Sequence, residues 1–153
     1  MAIIRKFEFT DVKQVAHIES EVFKSDVFSA DMFSKLLNNN NNYSLVTEDK
    51  NKNIIAYINA SVVLDEAEIL TFATKLESRR KGVGLSLLLK FLKKLKQKGF
   101  KKVSLEVRAS NTAAKKLYEK AGGKLLGTRK NYYNTSKKSK KEDAAIYCFK
   151  LKK

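Results

Sequence analysis

The chain carries Arg79-Arg80-Lys81-Gly82-Val83-Gly84, a basic turn that runs directly into an amphipathic helix and that indicates the fold. Its two glycines let the backbone turn tightly and approach a ligand closely. The N–H groups at the start of the following helix, with the positive end of the helix dipole behind them, favour anionic oxygens. The segment therefore predicts a diphosphate-binding turn, although an ordinary helix-start loop on a lysine-rich protein has the same pattern.

The helix that follows this turn is predicted from a stripe of leucines, and Gly99 is expected to end it. Lysines occupy the rest of its circumference, so the stripe is expected to pack into the core. The predicted core-facing positions are Leu85, Leu88, Leu89, Leu92 and Leu95.

The composition of the chain is that of a folded globular protein, with 153 residues and 43% hydrophobic residues. A single cysteine, Cys148, excludes an internal disulfide, and with His17 as the one histidine no zinc cluster is expected. No apolar run is long enough to cross a bilayer. We therefore expect one domain over residues 1–153, in a soluble, reduced, cytoplasmic protein without metal or membrane contact.

The net charge of +16 is distributed unevenly along the chain. Residues 1–74 carry 7 basic and 11 acidic side chains, net −4, whereas residues 75–153 carry 25 basic and 5 acidic ones, net +20. An anionic ligand is therefore expected in the C-terminal half. Biased codon usage explains surface lysines equally well, because 27 of the 32 cations are lysine and proline is absent.

Upstream of the glycine turn, hydrophobic spacing predicts two helices within a set of strands. One helix spans Val12 to Val22 and can be capped by Thr10 or Asp11, and a second follows Ser29. The asparagine run at 38–42 is predicted as a loop. Strands are predicted at 3–9, 43–48, 53–63 and 67–74, with hairpin turns at 49–53 and 64–66.

Downstream of the leucine helix, residues 101–108 alternate as a strand, with Glu106 and Arg108 on the face opposite the apolar one. A helix is expected from Ser110 or Asn111 through Tyr118, closing at 122–123. Strands at 124–133 and 144–151 are separated by the lysine-rich segment 136–141. A meander of strands followed by strands interleaved with helices predicts an α/β fold with a mixed sheet.

The chain resembles the GCN5-related N-acetyltransferase (GNAT) family. The signature of that family is an Arg/Gln-x-x-Gly-x-Gly turn that binds the pyrophosphate of acetyl-CoA. More narrowly, it is similar to the RimI type within that family, which acetylates the N-terminal alanine of a small-subunit ribosomal protein. The segments that carry this similarity are VVLDEA at 62–67, LEVRASN at 105–111, LYE at 117–119, RKNYY at 129–133 and EDA at 142–144.

The resemblance implies the GNAT fold, an α/β (α+β) architecture with about seven strands and about four helices, and acetyl-CoA as cosubstrate without a metal. It implies that the turn at 79–84 and Leu85 bind the pyrophosphate and that Asn111 contacts the cofactor. It also implies that backbone N–H groups near Phe72, Ala73 and Thr74 hold the thioester carbonyl as an oxyanion hole. Tyr118 corresponds to the acid that protonates the leaving thiolate, and it too contacts the cofactor.

The proton chemistry of the reaction agrees with these roles. An α-amino group has a pKa of about 8 and needs a base before it can attack a thioester at neutral pH. Glu106 is the candidate base, in agreement with the RimI-type pattern, although a structural ion pair with Arg108 is an alternative reading. Tyr118 is equally compatible with a role as a half-buried aromatic on a helix.

The acceptor is expected to be a cationic peptide N-terminus, attracted by the acidic half of the chain through Asp65 and Glu66. Tyr132 and Tyr133 either wall the peptide groove or pair across the sheet. One rival is a GNAT enzyme for small amines or lysine side chains, and another is a non-catalytic basic module that binds ribosome or RNA. Weak nonspecific RNA contact through the lysines is compatible with the enzyme. Residues Lys137 to Lys141 could contact rRNA, but a solvated loop is the expected reading, because no aromatic side chains are interleaved with these lysines.

Overall fold

A computed structural model describes residues 2–135 and 141–151. Within those residues the chain forms a seven-stranded mixed sheet and four α-helices. The elements, in chain order, are β1 Ile3–Lys6, α1 Val12–Val22, α2 Ala30–Leu37, β2 Asn42–Glu48, β3 Ile54–Val63, β4 Glu66–Thr74, α3 Val83–Gln97, β5 Lys102–Arg108, α4 Thr112–Lys120, β6 Lys124–Asn134 and β7 Lys141–Lys150. This architecture confirms the fold class predicted from the sequence.

The sheet has the strand order β1-β2-β3-β4-β5-β7-β6. All neighbouring strands are antiparallel except β4 and β5, which α3 connects as a parallel pair. Their pairing covers Glu66–Ile69 against Lys102–Leu105 and does not extend to residues 70–74 and 106–108. The C-terminal halves of the two strands therefore separate, and a gap opens near the middle of the sheet.

Helices cover both faces of the sheet, so consecutive strand residues pack into two different clusters. Leu45 and Ile58 pack with α3 and with Tyr118 of α4, whereas Val46 and Tyr57 pack with α1 and Phe33 of α2. The alternation predicted for β5 is confirmed, since its apolar side chains are buried.

The buried face of α3 differs from the predicted leucine stripe. Leu88, Leu92 and Leu95 are buried as predicted, but Leu89 is 46% exposed. The residues that take part in the core instead are Leu87 and Phe91, both 0% exposed. Leu85 is only partly buried because it faces the gap between β4 and β5.

The first strand and the cap of α1 also differ from the prediction. β1 ends at Lys6, because the chain turns into a short 3-10 helix at Phe9–Asp11. Asp11 does not cap α1, since its carboxylate accepts hydrogen bonds from the Glu8 N–H and from Arg5. By contrast, α2 follows Ser29 as predicted, and Ser29 caps it, since its Oγ accepts from the Met32 N–H at 3.2 Å. Of the segment predicted as a solvated loop at 137–141, residues 137–140 lie outside the described residues, and Lys141 begins β7 instead.

Candidate active site

A cleft of about 550 Å³ occupies the gap between the separating halves of β4 and β5. The glycine turn and the start of α3 close one end, and the α1–α2 loop and β6 border the other. Most of the predicted site residues line this cleft; they are Phe72, Ala73, Thr74, Arg79, Arg80, Gly82, Val83, Gly84, Leu85, Glu106, Asn111 and Tyr118. Lys81 is exposed and is not one of the lining residues.

The glycine turn leaves backbone N–H groups free at the start of α3. Gly82 has a φ of 76°, in the left-handed region that suits glycine, and it precedes α3 directly. The Ser86 N–H makes the first helical bond, to the Gly82 carbonyl, so the N–H groups of residues 83–85 have no acceptor within the helix. Because Gly84 has no side chain, α3 can approach β4 closely here. A Cβ at this position would lie only 3.0 Å from Thr74 Oγ1.

Glu106 projects from β5 into the cleft with 15% of its side chain exposed. Oε1 lies 3.3 Å from Nη1 of Arg129, while Oε2 is buried and has no hydrogen-bond partner in the described part of the chain. Burial raises the pKa of Glu106 above that of an ordinary glutamate; Arg129 lowers it and Glu68 raises it further. A carboxylate with one free buried oxygen and a raised pKa is suited to accept a proton.

Arg108 is not the partner of Glu106. Its guanidinium joins the α1–α2 loop to the end of β6, with bonds of 2.6 Å to Ser25 Oγ and 2.7 Å to the Asn134 carbonyl. Asp26 and Glu142 add ion pairs at 3.2 and 3.4 Å. Arg108 therefore fixes two segments that border the cleft.

Tyr118 is 6% exposed and packs between Phe72 and Tyr147, at ring-centroid distances of 6.2 and 5.9 Å. Burial, followed by the nearby Tyr133, raises the pKa of Tyr118 well above the usual range of a phenol. The hydroxyl is therefore neutral at physiological pH, which is the form that can donate a proton.

Two neighbouring aromatic side chains of β6 contact each other rather than pairing across the sheet. The rings of Tyr132 and Tyr133 meet edge to face at 4.9 Å. Tyr133 lines the cleft and donates a hydrogen bond of 2.8 Å to the carbonyl of Glu106, whereas Tyr132 is 44% exposed. Of the two, Tyr133 is positioned to form a wall of the cleft.

Asn111 is the N-cap of α4, because its Oδ1 accepts from the Ala114 N–H at 3.1 Å. This bond uses the side-chain oxygen and leaves the amide NH₂ donors out of the cap. Asn111 lines the cleft at the start of α4, and the glycine turn lines it at the start of α3.

Glu19 is a cleft residue that the sequence analysis did not identify. It is 2% exposed, and its Oε1 accepts hydrogen bonds from the hydroxyls of Tyr57 and Thr71. Its Oε2 accepts from the Phe28 N–H at 3.0 Å, which ties the α1–α2 loop to α1. The available signal was its spacing, because Glu19 follows Val15 by four residues on the buried face of α1.

Other predictions from composition concern features away from this cleft. Asp65 and Glu66 lie at the β3–β4 turn and are not lining residues; the acidic side chains that do line the cleft are Glu19, Asp26 and Glu106. Cys148 is buried in β7, as predicted for a small apolar residue.

In residues 2–135 and 141–151 no cluster of three or more histidine, cysteine or acidic side chains could hold a metal ion. None of the helices described is long and apolar enough to span a membrane.

Comparison with known proteins gives a match to the model of the acetyltransferase (GNAT) family over residues 11–123. A ribosomal protein bS18-alanine N-acetyltransferase of Escherichia coli (strain K12) is 34% identical over 150 residues, which cover 95% of each chain. The crystal structure of the Escherichia coli ribosomal-protein alanine N-acetyltransferase superposes with a TM-score of 0.89 at 31% identity, covering 100% of this chain and 96% of that one. A structure of Arabidopsis thaliana NAA60 with acetyl-CoA has the same fold, with a TM-score of 0.86 at 17% identity and 99% of both chains covered.

Proposed function

The chain belongs to the acetyltransferase (GNAT) family, and on that premise we propose that it transfers the acetyl group of acetyl-CoA to the N-terminal α-amino group of a protein. The observation that carries this proposal is the cleft itself. One end holds the glycine turn with its free N–H groups, and the other holds a buried carboxylate with an unpartnered oxygen. The two ends are joined by the unpaired edge of β4, where a thioester would lie between them.

Acetyl-CoA fits the residues at the turn end of the cleft. The N–H groups of residues 83–85 bind the pyrophosphate, and Arg79 and Arg80 neutralise its charge. Lys81, which lies outside the lining, contributes at longer range as an exposed cation. Asn111 offers its amide NH₂ group to the bound cosubstrate from the start of α4.

Glu106 acts as the base, directly or through one water. It takes a proton from the α-ammonium, and the neutral nitrogen attacks the thioester carbonyl. Backbone N–H groups at residues 72–74 stabilise the oxyanion that forms. Attack forms the C–N bond and a tetrahedral intermediate, whose collapse breaks the C–S bond. The CoA thiolate takes a proton from Tyr118, and the second proton lost by the nitrogen restores the Tyr118 hydroxyl through water.

The acceptor that the relatives suggest is the N-terminal alanine of ribosomal protein bS18. Glu19, Asp26 and Glu106 line the cleft and favour a cationic N-terminus. The α1–α2 loop and Tyr133 bound the acceptor side, so the first residues of the peptide lie between them. Such a reaction takes place in the cytoplasm, where ribosomal proteins are made.

An acceptor panel tests this proposal. The panel contains an alanine-starting peptide with the bS18 N-terminus, a lysine peptide with a blocked N-terminus, and spermidine, and acetyl position is read by mass spectrometry. We expect acetylation at the α-amine of the first peptide alone. Faster acetylation of the lysine side chain or of spermidine would favour the small-amine rival, and no transfer to any acceptor would favour a binding module.

A further inference from the structure

Arg129 is the cation that faces the candidate base. Its Nη1 lies 3.3 Å from Oε1 of Glu106, and its guanidinium stacks 4.6 Å from the centroid of the Tyr132 ring. The Arg129 side chain is 53% exposed, whereas the Glu106 side chain is 15% exposed. The guanidinium therefore covers a mostly buried carboxylate from the solvent side, and the protein does not enclose it there.

Arg129 directly precedes an irregularity in β6. Arg129 pairs with Ala144, and Tyr133 pairs with Glu142. An advance of four residues along β6 therefore corresponds to two residues along β7, so β6 bulges between them. Within this bulge Asn131 has a φ of 53° and donates its N–H to a carboxylate oxygen of Asp143 at 2.9 Å. Bulges of this kind redirect the side chains beside them.

We propose that Arg129 is a positioning residue that pairs with Glu106 in the free enzyme and is displaced when the α-ammonium of the acceptor takes its place beside the carboxylate. The inference rests on the proposed role of Glu106 as base. One cation replaces another, so the carboxylate is compensated before and after the exchange. The exchange also selects for charged acceptors, because a blocked N-terminus has no charge with which to replace the guanidinium.

The groups around Glu106 determine how its pKa should change when Arg129 is removed. Arg129 lowers its pKa, while burial, the larger effect, and Glu68 on β4 raise it. Tyr133 on β6 also faces the carboxylate, and the other charged groups near that tyrosine are Arg108 on β5 and Asp26 in the α1–α2 loop. Without Arg129 the effect of burial is unopposed, so the pKa of Glu106 rises and deprotonation requires a higher pH.

The test compares the wild type with Arg129→Gln at saturating acetyl-CoA, using the alanine-starting peptide. We expect the acid limb of kcat/KM to move to higher pH. On the plateau above that limb we expect the peptide KM to fall roughly two- to fivefold, because the acceptor no longer competes with an exposed guanidinium. Arg129→Lys should return the acid limb toward its wild-type position, because it restores the positive charge.

Lys130→Gln is the matched control, since it removes an exposed cation from the same bulge and should change neither quantity. The coupling can also be read without catalysis, by NMR titration of isotope-labelled glutamate side chains with the Glu106 signal assigned from Glu106→Gln. An unmoved Glu106 titration in Arg129→Gln, or a peptide KM that rises, overturns the inference. Absence of turnover in the wild type would instead overturn the proposed function, and the titration would still decide the role of Arg129.

Discussion

The hydroxyl of Tyr133 donates a hydrogen bond of 2.8 Å to the backbone carbonyl of Glu106. These residues belong to β6 and β5, which are separated in the sheet by β7. The bond therefore crosses over a strand and joins the wall of the acceptor side to the strand that carries the candidate base. A change in β6 is expected to affect the position of Glu106 as well as the shape of the cleft.

Glu106→Gln should lower kcat about 10²- to 10⁴-fold, because an amide cannot accept the proton of the ammonium. The substitution is close to isosteric and lies away from the glycine turn, so acetyl-CoA affinity should be nearly unchanged. Steady-state kinetics and calorimetric titration with acetyl-CoA measure the two effects. Wild-type turnover in this variant would remove Glu106 from the mechanism.

The pH dependence of the wild type should follow the same carboxylate. Glu106 must be deprotonated to act as base, and burial raises its pKa despite the opposing effect of Arg129. Activity should therefore be lost on acidification at a pH above the ordinary pKa of a glutamate side chain. A kcat/KM profile for the peptide measures this limb, which should disappear from the residual activity of Glu106→Gln.

Tyr118→Phe should lower kcat by about 10²-fold while leaving the fold intact. A phenylalanine ring keeps the packing against Phe72 and Tyr147 but has no hydroxyl for the leaving thiolate. The matched control is Tyr147→Phe, because that hydroxyl donates to Glu119 and Tyr147 is not a lining residue. Equal kcat values in the two variants would argue against an acid role for Tyr118.

Gly84→Ala should weaken acetyl-CoA binding. The added Cβ would lie 3.0 Å from Thr74 Oγ1, so the Thr74 side chain or the start of α3 must shift by a few tenths of an ångström. Strain of roughly 1–3 kcal/mol is typical of such overpacking and corresponds to about a tenfold rise in Kd. Gly127→Ala is the control, since no atom lies within 4 Å of its Cβ position. Equal Kd values for the two variants would contradict the proposed role of the turn.

Arg108→Met should raise the peptide KM about five- to tenfold, since the two charge-assisted hydrogen bonds that join the α1–α2 loop to the end of β6 are lost. The KM for acetyl-CoA and the acid limb of the pH profile should stay unchanged, because Arg108 does not pair with Glu106. Lys115→Met is a suitable control, as its Nζ bonds the Ala109 carbonyl outside the cleft. An acid limb that moves in Arg108→Met would contradict this assignment.

Local sequence patterns were sufficient to predict most of the fold and the glycine turn that lines one end of the cleft. The glycine turn, the alternation around Glu106 and the start of α4 near Ser110 or Asn111 depend on neighbouring residues, and the structure has each of them. Leu89 was predicted to face the core of the protein but is exposed. Leucines occupy several faces of α3, so hydrophobicity alone does not identify the face that packs against the sheet.

Contacts between distant segments could not be predicted from local patterns. The partner of Glu106 is Arg129 on β6 rather than Arg108 on its own strand, and β6 pairs with β7 through a shifted register. Sequence spacing contains no information about such a shift. The buried bonds of Glu19 likewise depend on Tyr57 and Thr71, which lie 38 and 52 residues away in the chain.

The most direct test of the account is thiol release from acetyl-CoA with an alanine-starting bS18 peptide, measured beside the same peptide with a blocked N-terminus. The account predicts release with the free α-amine and none above background with the blocked peptide. Equal release with both peptides, or no release with either despite confirmed acetyl-CoA binding, would contradict N-α-acetyl transfer by this cleft.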